Sequence, residues 1–189
     1  PILYLCHLLK VVKMININIK NFSISNNSPF VLIAGPCVIE SEKHSMMIAE
    51  ELYKICNDVG VNLIFKSSFD KANRSSIKSE RGVAIDDALR IFKKIKNDLN
   101  LPILTDVHNE DQCNKLNQDT TIDILQIPAF LCRQTDLLLA AGRTNKIINV
   151  KKGQFLSPVD VKNIFIKIES TNNKNIMITE RGTSFGYNT

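Results

Sequence analysis

The side chains best suited to chemistry crowd into one stretch, Phe65-Lys66-Ser67-Ser68-Phe69-Asp70-Lys71-Ala72-Asn73-Arg74-Ser75-Ser76. Its cations Lys66, Lys71 and Arg74 deliver charge, while its serine hydroxyls and backbone N–H groups deliver directional bonds. Together they suit a phosphate monoester. Taken alone, such a run is more commonly a solvated basic loop. More cations recur along the chain, at Arg133, at Lys151 and Lys152, and at Arg181. Gathered around one mouth they would repel unless an anion sat among them, and two phosphates and a carboxylate would satisfy the ring. Asp106 and His108 stand two apart on an extended segment, so they share a face. An acid beside an imidazole suits proton handling, although the same pair also occurs as a structural contact. Cys37, after Gly35-Pro36, could be a metal ligand or a small core residue. An isolated cysteine is more often the latter.

The elements that must position these groups follow from hydrophobic periodicity. Ile15, Ile17 and Ile19 alternate with polar residues, the period of a half-buried strand, and Asn26-Asn27-Ser28-Pro29 ends that segment. The continuous apolar run Phe30–Ala34 predicts a strand buried on both faces. Ile48, Leu52, Ile55, Cys56 and Val59 predict a helical stripe closed by Gly60. Strands are then expected at 62–69, 101–107, 122–128, 146–150 and 176–179. Helices are expected around 85–99, 109–118 and 135–141, and in a segment opened by Ser157 as N-cap and Pro158 at N1.

Six apolar strands separated by five amphipathic helices make a βα-repeat architecture, either doubly wound or a barrel. No G-x-G-x-x-G follows any strand, which weakens the dinucleotide-binding version. Cys37, Asp106, His108, Gln126, Lys151 and Arg181 all fall at strand C-terminal ends, which in a barrel form one ring. The expected fold is therefore an α/β protein of (β/α)8 TIM-barrel type, with only about the first six strands in this chain. Residues 1–13, ahead of Met14, are expected to be an upstream or non-native extension, 14–29 an N-terminal strand or hairpin, and 30–189 the partial barrel.

Composition bounds the function. The 189 residues are 44% hydrophobic and 23% charged, ordinary for a soluble globular domain, and the net charge of +5 fits anionic metabolites. Tryptophan is absent and aromatics are 6%, so base-stacking platforms are poorly supplied, and the basic residues do not line one helix or sheet face. Nucleic acid and membrane are accordingly not expected partners. The cysteines at 6, 37, 56, 113 and 132 form no CxxC pair, which suits reduced thiols in a cytoplasmic protein. His7 and His44 are expected on the surface.

Several segments together resemble one family. They are the run Lys66–Ser76, Thr105-Asp106-Val107-His108, Gln126–Leu137, Asn149-Val150-Lys151-Lys152 and Arg181–Tyr187. In order and in register from about Phe30 to Thr189, they resemble 3-deoxy-D-manno-octulosonate 8-phosphate synthases. The resemblance implies a (β/α) barrel, usually homotetrameric. Such an enzyme condenses phosphoenolpyruvate with D-arabinose 5-phosphate and water and releases phosphate, in lipopolysaccharide precursor synthesis. It implies that Lys71, Lys151 and Arg181 grip phosphoenolpyruvate, with Gln126 and the Ala129 backbone beside them. Asn73, Arg74 and Ser75 would hold the arabinose phosphate, and Arg133 would reach across a subunit interface. Lys66 and Asp106 would lie between the substrates, with His108 near the reacting carbons. Gly-Pro-Cys at 35–37 resembles the metal-dependent form, so Cys37 is the implied ligand of a divalent metal whose other ligands would lie beyond residue 189.

The nearest rival is the 3-deoxy-D-arabino-heptulosonate 7-phosphate synthases, whose loop reads Lys-Pro-Arg-Thr-Ser where this chain has Lys71-Ala72-Asn73-Arg74-Ser75-Ser76. The additional asparagine favours the five-carbon sugar phosphate. A second rival is an inactive remnant, because two missing strand–helix units would leave open sheet edges.

Overall fold

The computed structural model describes residues 16–186, so Met14, Ile15, the 1–13 segment with Cys6 and His7, and Tyr187 lie outside the described residues. A small antiparallel hairpin comes first, β1 (Ile17–Ile19) paired with β2 (Phe22–Ile24). Then follow β3 (Val31–Ala34), α1 (Glu42–Val59), β4 (Asn62–Lys66), α2 (Ile85–Leu99), β5 (Ile103–Asp106) and α3 (Glu110–Asn117). The chain continues through β6 (Ile124–Ile127), α4 (Thr135–Arg143), β7 (Ile147–Lys151), α5 (Val161–Glu169) and β8 (Ile176–Thr179).

Strands β3 to β8 form one parallel sheet in strict sequence order. A doubly wound sheet must reverse its strand order at a switch point. This one never does, so it winds one way, as the wall of a (β/α) barrel does. The sheet is curled into part of a barrel. Val31, Ile64, Leu104, Ile124, Ile147 and Met177, one from each of the six strands, join a single cluster around Ile17 and Ile19 of the hairpin. Laid flat, six strands would spread over about 24 Å, far wider than a three-residue hairpin strand of about 10 Å. The curl lets the hairpin plug the sheet's concave face.

Residues of the opposite parity face the helices. Phe65, Ile103, Leu125, Ile127, Ile148 and Val150 pack there against Ala49, Phe92, Ile95, Leu116, Leu138 and Ile168. Helix ends follow local chemistry. Ser41 caps α1 by accepting the His44 N–H at 3.1 Å, and Gly60 closes it in a left-handed conformation (φ 70°) that costs glycine little. Asn109 caps α3 in the same manner, accepting the Gln112 N–H at 2.9 Å.

Three expectations need correction. The 30–34 run is not buried on both faces: Phe30, 69% exposed, precedes β3, and Ile33, 39% exposed, sits on a strand that pairs with β4 alone among the described residues. Ile55 and Val59 lie exposed instead of in the α1 stripe, whose buried positions are Ser45, Ala49 and Cys56. Ser157 does cap a helical start, accepting the Val159 N–H, but the first turn (158–160) is a 3-10 turn that precedes α5.

Candidate active site

Side chains alternate along a strand, so those on the concave face divide into two layers. Near the hairpin the layer is apolar, as described above. At the C-terminal strand ends it turns polar: Lys66 on β4, Asp106 on β5, Gln126 on β6, Asn149 and Lys151 on β7, and Thr179 on β8. Parallel pairing sets Asp106 beside Gln126, Gln126 beside Asn149, and Lys151 beside Thr179. The polar layer is hydrogen-bonded laterally. Thr179 Oγ1 donates to Asn149 Oδ1 at 2.9 Å, Asn149 Nδ2 donates to Gln126 Oε1 at 3.1 Å, and Gln126 Nε2 donates to Asp106 Oδ1 at 2.9 Å. Lys66 Nζ lies 3.8 Å from the same carboxylate oxygen.

Lys66 has a second cation for company. Its ammonium donates to Ser68 Oγ at 3.0 Å, and Lys71 Nζ donates to that same oxygen at 2.7 Å. Burial pushes the Lys66 ammonium below the ordinary lysine range; Asp106 partly offsets this, while Lys71 and Lys151 push it further down. Three lysines therefore converge with one carboxylate among them. An anion bound between them would relieve the repulsion.

Beyond Ser68 the chain leaves the sheet in a closed loop. Lys71 N–H donates to the Arg81 carbonyl at 2.7 Å and Val83 N–H to the Phe69 carbonyl at 2.9 Å, which pinches the neck. Asp70 and Arg81 clasp it through a two-point ion pair, with Arg81 Nε donating to Asp70 Oδ1 at 2.8 Å. That pairing holds the Asp70 carboxyl below the usual carboxylate range. Asn73, Arg74 and Ser75 sit exposed on the loop, and Arg74 Nε is turned back to the Glu80 carbonyl at 3.4 Å.

His108 follows β5 and is half-buried, its ring edge-on to Phe69 with centroids 6.0 Å apart. Gln112 Oε1 accepts the His108 backbone N–H at 2.7 Å and lies 3.3 Å from His108 Nδ1. A backbone N–H can only donate, so the glutamine atom is the oxygen, and the neutral ring must carry its proton on Nδ1. In that tautomer Nε2 is the acceptor nitrogen. A hollow of 430 Å³ lies beside this group, lined by Phe69, Arg81, Val83, Asn109, Gln112 and Lys115, and none of the polar-layer residues borders it.

The other singled-out residues scatter. Ala129 is buried at the start of a 3-10 turn (129–131), just after β6. Arg133 is exposed and borders a separate hollow with Asp160, Asn163 and Lys167, on the helical side of the sheet. Arg181 is exposed just past β8. Lys152 does not belong to the cationic ring. It is fully buried on the opposite face, where its ammonium donates to the carbonyls of Gly153 (3.2 Å), Leu156 (3.1 Å) and Gly182 (2.9 Å). Consecutive strand residues cannot both face the mouth, so one of the pair Lys151-Lys152 had to turn away.

Sequence reasoning named Ser68 and Asn149 only within longer runs and passed over Thr179. The usable signal was parity. Asn149 stands two before Lys151 on β7, and Thr179 stands two before Arg181 at the end of β8.

Cys37 is exposed after β3, and its carbonyl accepts from Lys66 Nζ at 3.4 Å. Among the described residues no group of three or more His, Cys, Asp or Glu side chains converges in a way that could hold a metal ion. One thiol does not make a site, so the described residues do not fit a bound metal by themselves.

A single-wound parallel sheet with its polar layer at the strand C-terminal ends defines the (β/α)-barrel class of α/β proteins. Residues 14–189 match the DAHP synthetase I family, and the chain belongs to that family. It is 50% identical over 174 residues to a Brucella anthropi protein named 2-dehydro-3-deoxyphosphooctonate aldolase, covering 92% of this chain and 62% of the relative. A protein of the same name from Bartonella henselae is 52% identical over 172 residues (91% and 61%), and one from Brucella ovis 50% over 173 residues (92% and 62%). The chain thus spans about 62% of the length of the curated relatives it matches. No helix among the described residues is long and apolar enough to cross a membrane.

Proposed function

We propose that the polar layer is the phosphoenolpyruvate end of a 3-deoxy-D-manno-octulosonate 8-phosphate synthase site, the activity that the relatives' name, 2-dehydro-3-deoxyphosphooctonate aldolase, also denotes. The observation that carries this reading is the convergence of Lys66 and Lys71 on one hydroxyl, with Lys151 close enough to act on Lys66, in a layer open at the strand ends. Such a layer demands an anion. The relatives' name supplies one chemistry that fits it.

In this reading Lys71, Lys151 and Arg181 take the phosphate and carboxylate of phosphoenolpyruvate, with Gln126 and the Ala129 backbone alongside. Asn73, Arg74 and Ser75, on the loop held by Asp70 and Arg81, take the phosphate of D-arabinose 5-phosphate. The enol carbon forms a bond to the sugar aldehyde, water adds to the neighbouring carbon, and phosphate leaves by C–O cleavage. Lys66 and Asp106 sit between the substrates, where Lys66, whose proton is loosened by burial, can neutralise or protonate the new alkoxide. His108 stands near the reacting carbons, its Nδ1 turned to Gln112 Oε1. Catalysis here is electrostatic positioning of two anions. The resemblance adds a divalent metal with Cys37 as one of its ligands, which would supply Lewis acidity. A cytoplasmic location, homotetrameric assembly and Arg133 reaching into a neighbouring subunit belong to the same proposal.

The test is phosphate release from phosphoenolpyruvate with arabinose 5-phosphate compared with erythrose 4-phosphate. Preference for erythrose 4-phosphate would move the assignment to the heptulosonate enzyme. Binding of phosphoenolpyruvate without phosphate release from either sugar would overturn the synthase reading.

A further inference from the structure

The lateral row on the polar layer has a fixed polarity. A carboxylate accepts and does not donate, so Gln126 must turn its amide nitrogen to Asp106. Its oxygen is then left for Asn149, which must present nitrogen, and the Asn149 oxygen is left for a donor. The Thr179 hydroxyl is that donor. Flipping either amide would set two donors or two acceptors face to face. Gln126 and Asn149 are each 3% exposed and Asp106 7%, so burial makes a flipped, unpaired group costly. Four neighbouring strands are thereby linked in one direction, from Thr179 to the carboxylate that faces Lys66.

We infer that Thr179 and Asn149 are positioning residues that act through Gln126 to hold the Asp106 carboxylate opposite Lys66. The inference rests on the reading of this layer as the phosphoenolpyruvate site, in which neither residue yet has a role. Each bond is also one that a polar sheet face could make locally, with no consequence two strands away. The two cases differ in reach. In a row, the loss of the Thr179 donor frees Asn149 to rotate, and Gln126 loses its orienting partner in turn.

The experiment compares Thr179→Val, which keeps the shape and removes the donor, with Thr179→Ser, which keeps the donor. The side-chain amide signals of Asn149 and Gln126 are followed by nuclear magnetic resonance, the Gln126 signal being assigned by its loss in Gln126→Leu. Thr179→Val is expected to move both signals and Thr179→Ser to return both. Movement confined to Asn149, or no recovery with serine, overturns the row. Phosphoenolpyruvate affinity by calorimetry then tests the consequence. About five-fold weaker binding in the valine variant, restored by serine, is expected if one hydrogen bond's worth of positioning is lost. Unchanged affinity despite a moved Gln126 signal would overturn the positioning role. If the unsubstituted chain does not bind phosphoenolpyruvate at all, the site reading fails, while the amide signals still decide the row.

Discussion

Lys66 and Lys71 donate to one and the same oxygen, Ser68 Oγ, at 3.0 and 2.7 Å. Two ammonium groups so close are held against their repulsion by β4 and the neck of the loop that follows it. The side chains that could discharge them are few, with Asp106 3.8 Å from Lys66.

Removing that shared acceptor should therefore cost stability. Ser68→Ala is expected to destabilise the chain by about 1–3 kcal/mol, the usual penalty for stranding a buried donor. Inorganic phosphate should restore part of the loss, since a bound anion would take over the acceptor's place. Denaturant unfolding in chloride and in phosphate at matched ionic strength measures both. A variant as stable as the parent in chloride would mean that the two lysines do not depend on Ser68.

Gly35 is where β3 leaves the sheet, and no larger residue fits there. A Cβ at this position would lie 2.0 Å from the Lys66 carbonyl oxygen, a backbone atom that cannot swing aside. Gly35→Ala is expected to lose more than about 4 kcal/mol or to fail to fold, and to disturb the Lys66 end of the polar layer. Soluble yield and thermal unfolding would report it. A well-folded alanine variant of parental stability would show that β3 and β4 can move apart freely.

The cysteines should differ sharply in reactivity. Burial pushes the Cys113 thiol up to about 12, and Cys56 is raised by burial as well, whereas Cys37 is exposed. Alkylation at neutral pH, followed by peptide mass mapping, should label Cys37 first and leave Cys113 unmodified until the chain is denatured. Equal labelling of Cys37 and Cys113 in the native chain would contradict the packing of α3 against the sheet.

The Asp70–Arg81 clasp predicts a pH dependence with a definite sign. Its folded carboxyl titrates below the unfolded value, so its stabilisation is complete above the unfolded value, about 3.9, and fades as pH falls through the folded one. Arg81 is largely solvent-exposed, so the effect should be small and weaker in salt. Asp70→Asn should be less stable than the parent at pH 6, and the gap should close on acidification below about pH 4. A gap that stays constant down to pH 2 would assign the clasp's contribution to shape instead of charge.

Much of this protein was determined by its sequence alone. The alternation of short apolar runs with amphipathic stripes specified the strand–helix order, because burying one face of each element leaves few other arrangements. The caps at Gly60 and Ser157 were written in residue type. So was the placement of Asp106, Gln126 and Lys151 at or next to strand C-terminal ends, which depends only on local spacing. Tertiary structure decided what depends on neighbours. The exposure of Phe30 and Ile33 follows from where β3 begins and from its pairing with β4 alone among the described residues, neither of which is a property of the run's apolar composition. Lys152 left the cationic ring because strand parity sends adjacent residues to opposite faces, and three backbone carbonyls were there to receive its ammonium. Asn149 and Thr179 entered the polar layer only when parallel register set four strands side by side, since hydrogen bonds across 20 to 30 residues of sequence exist only after the sheet has formed.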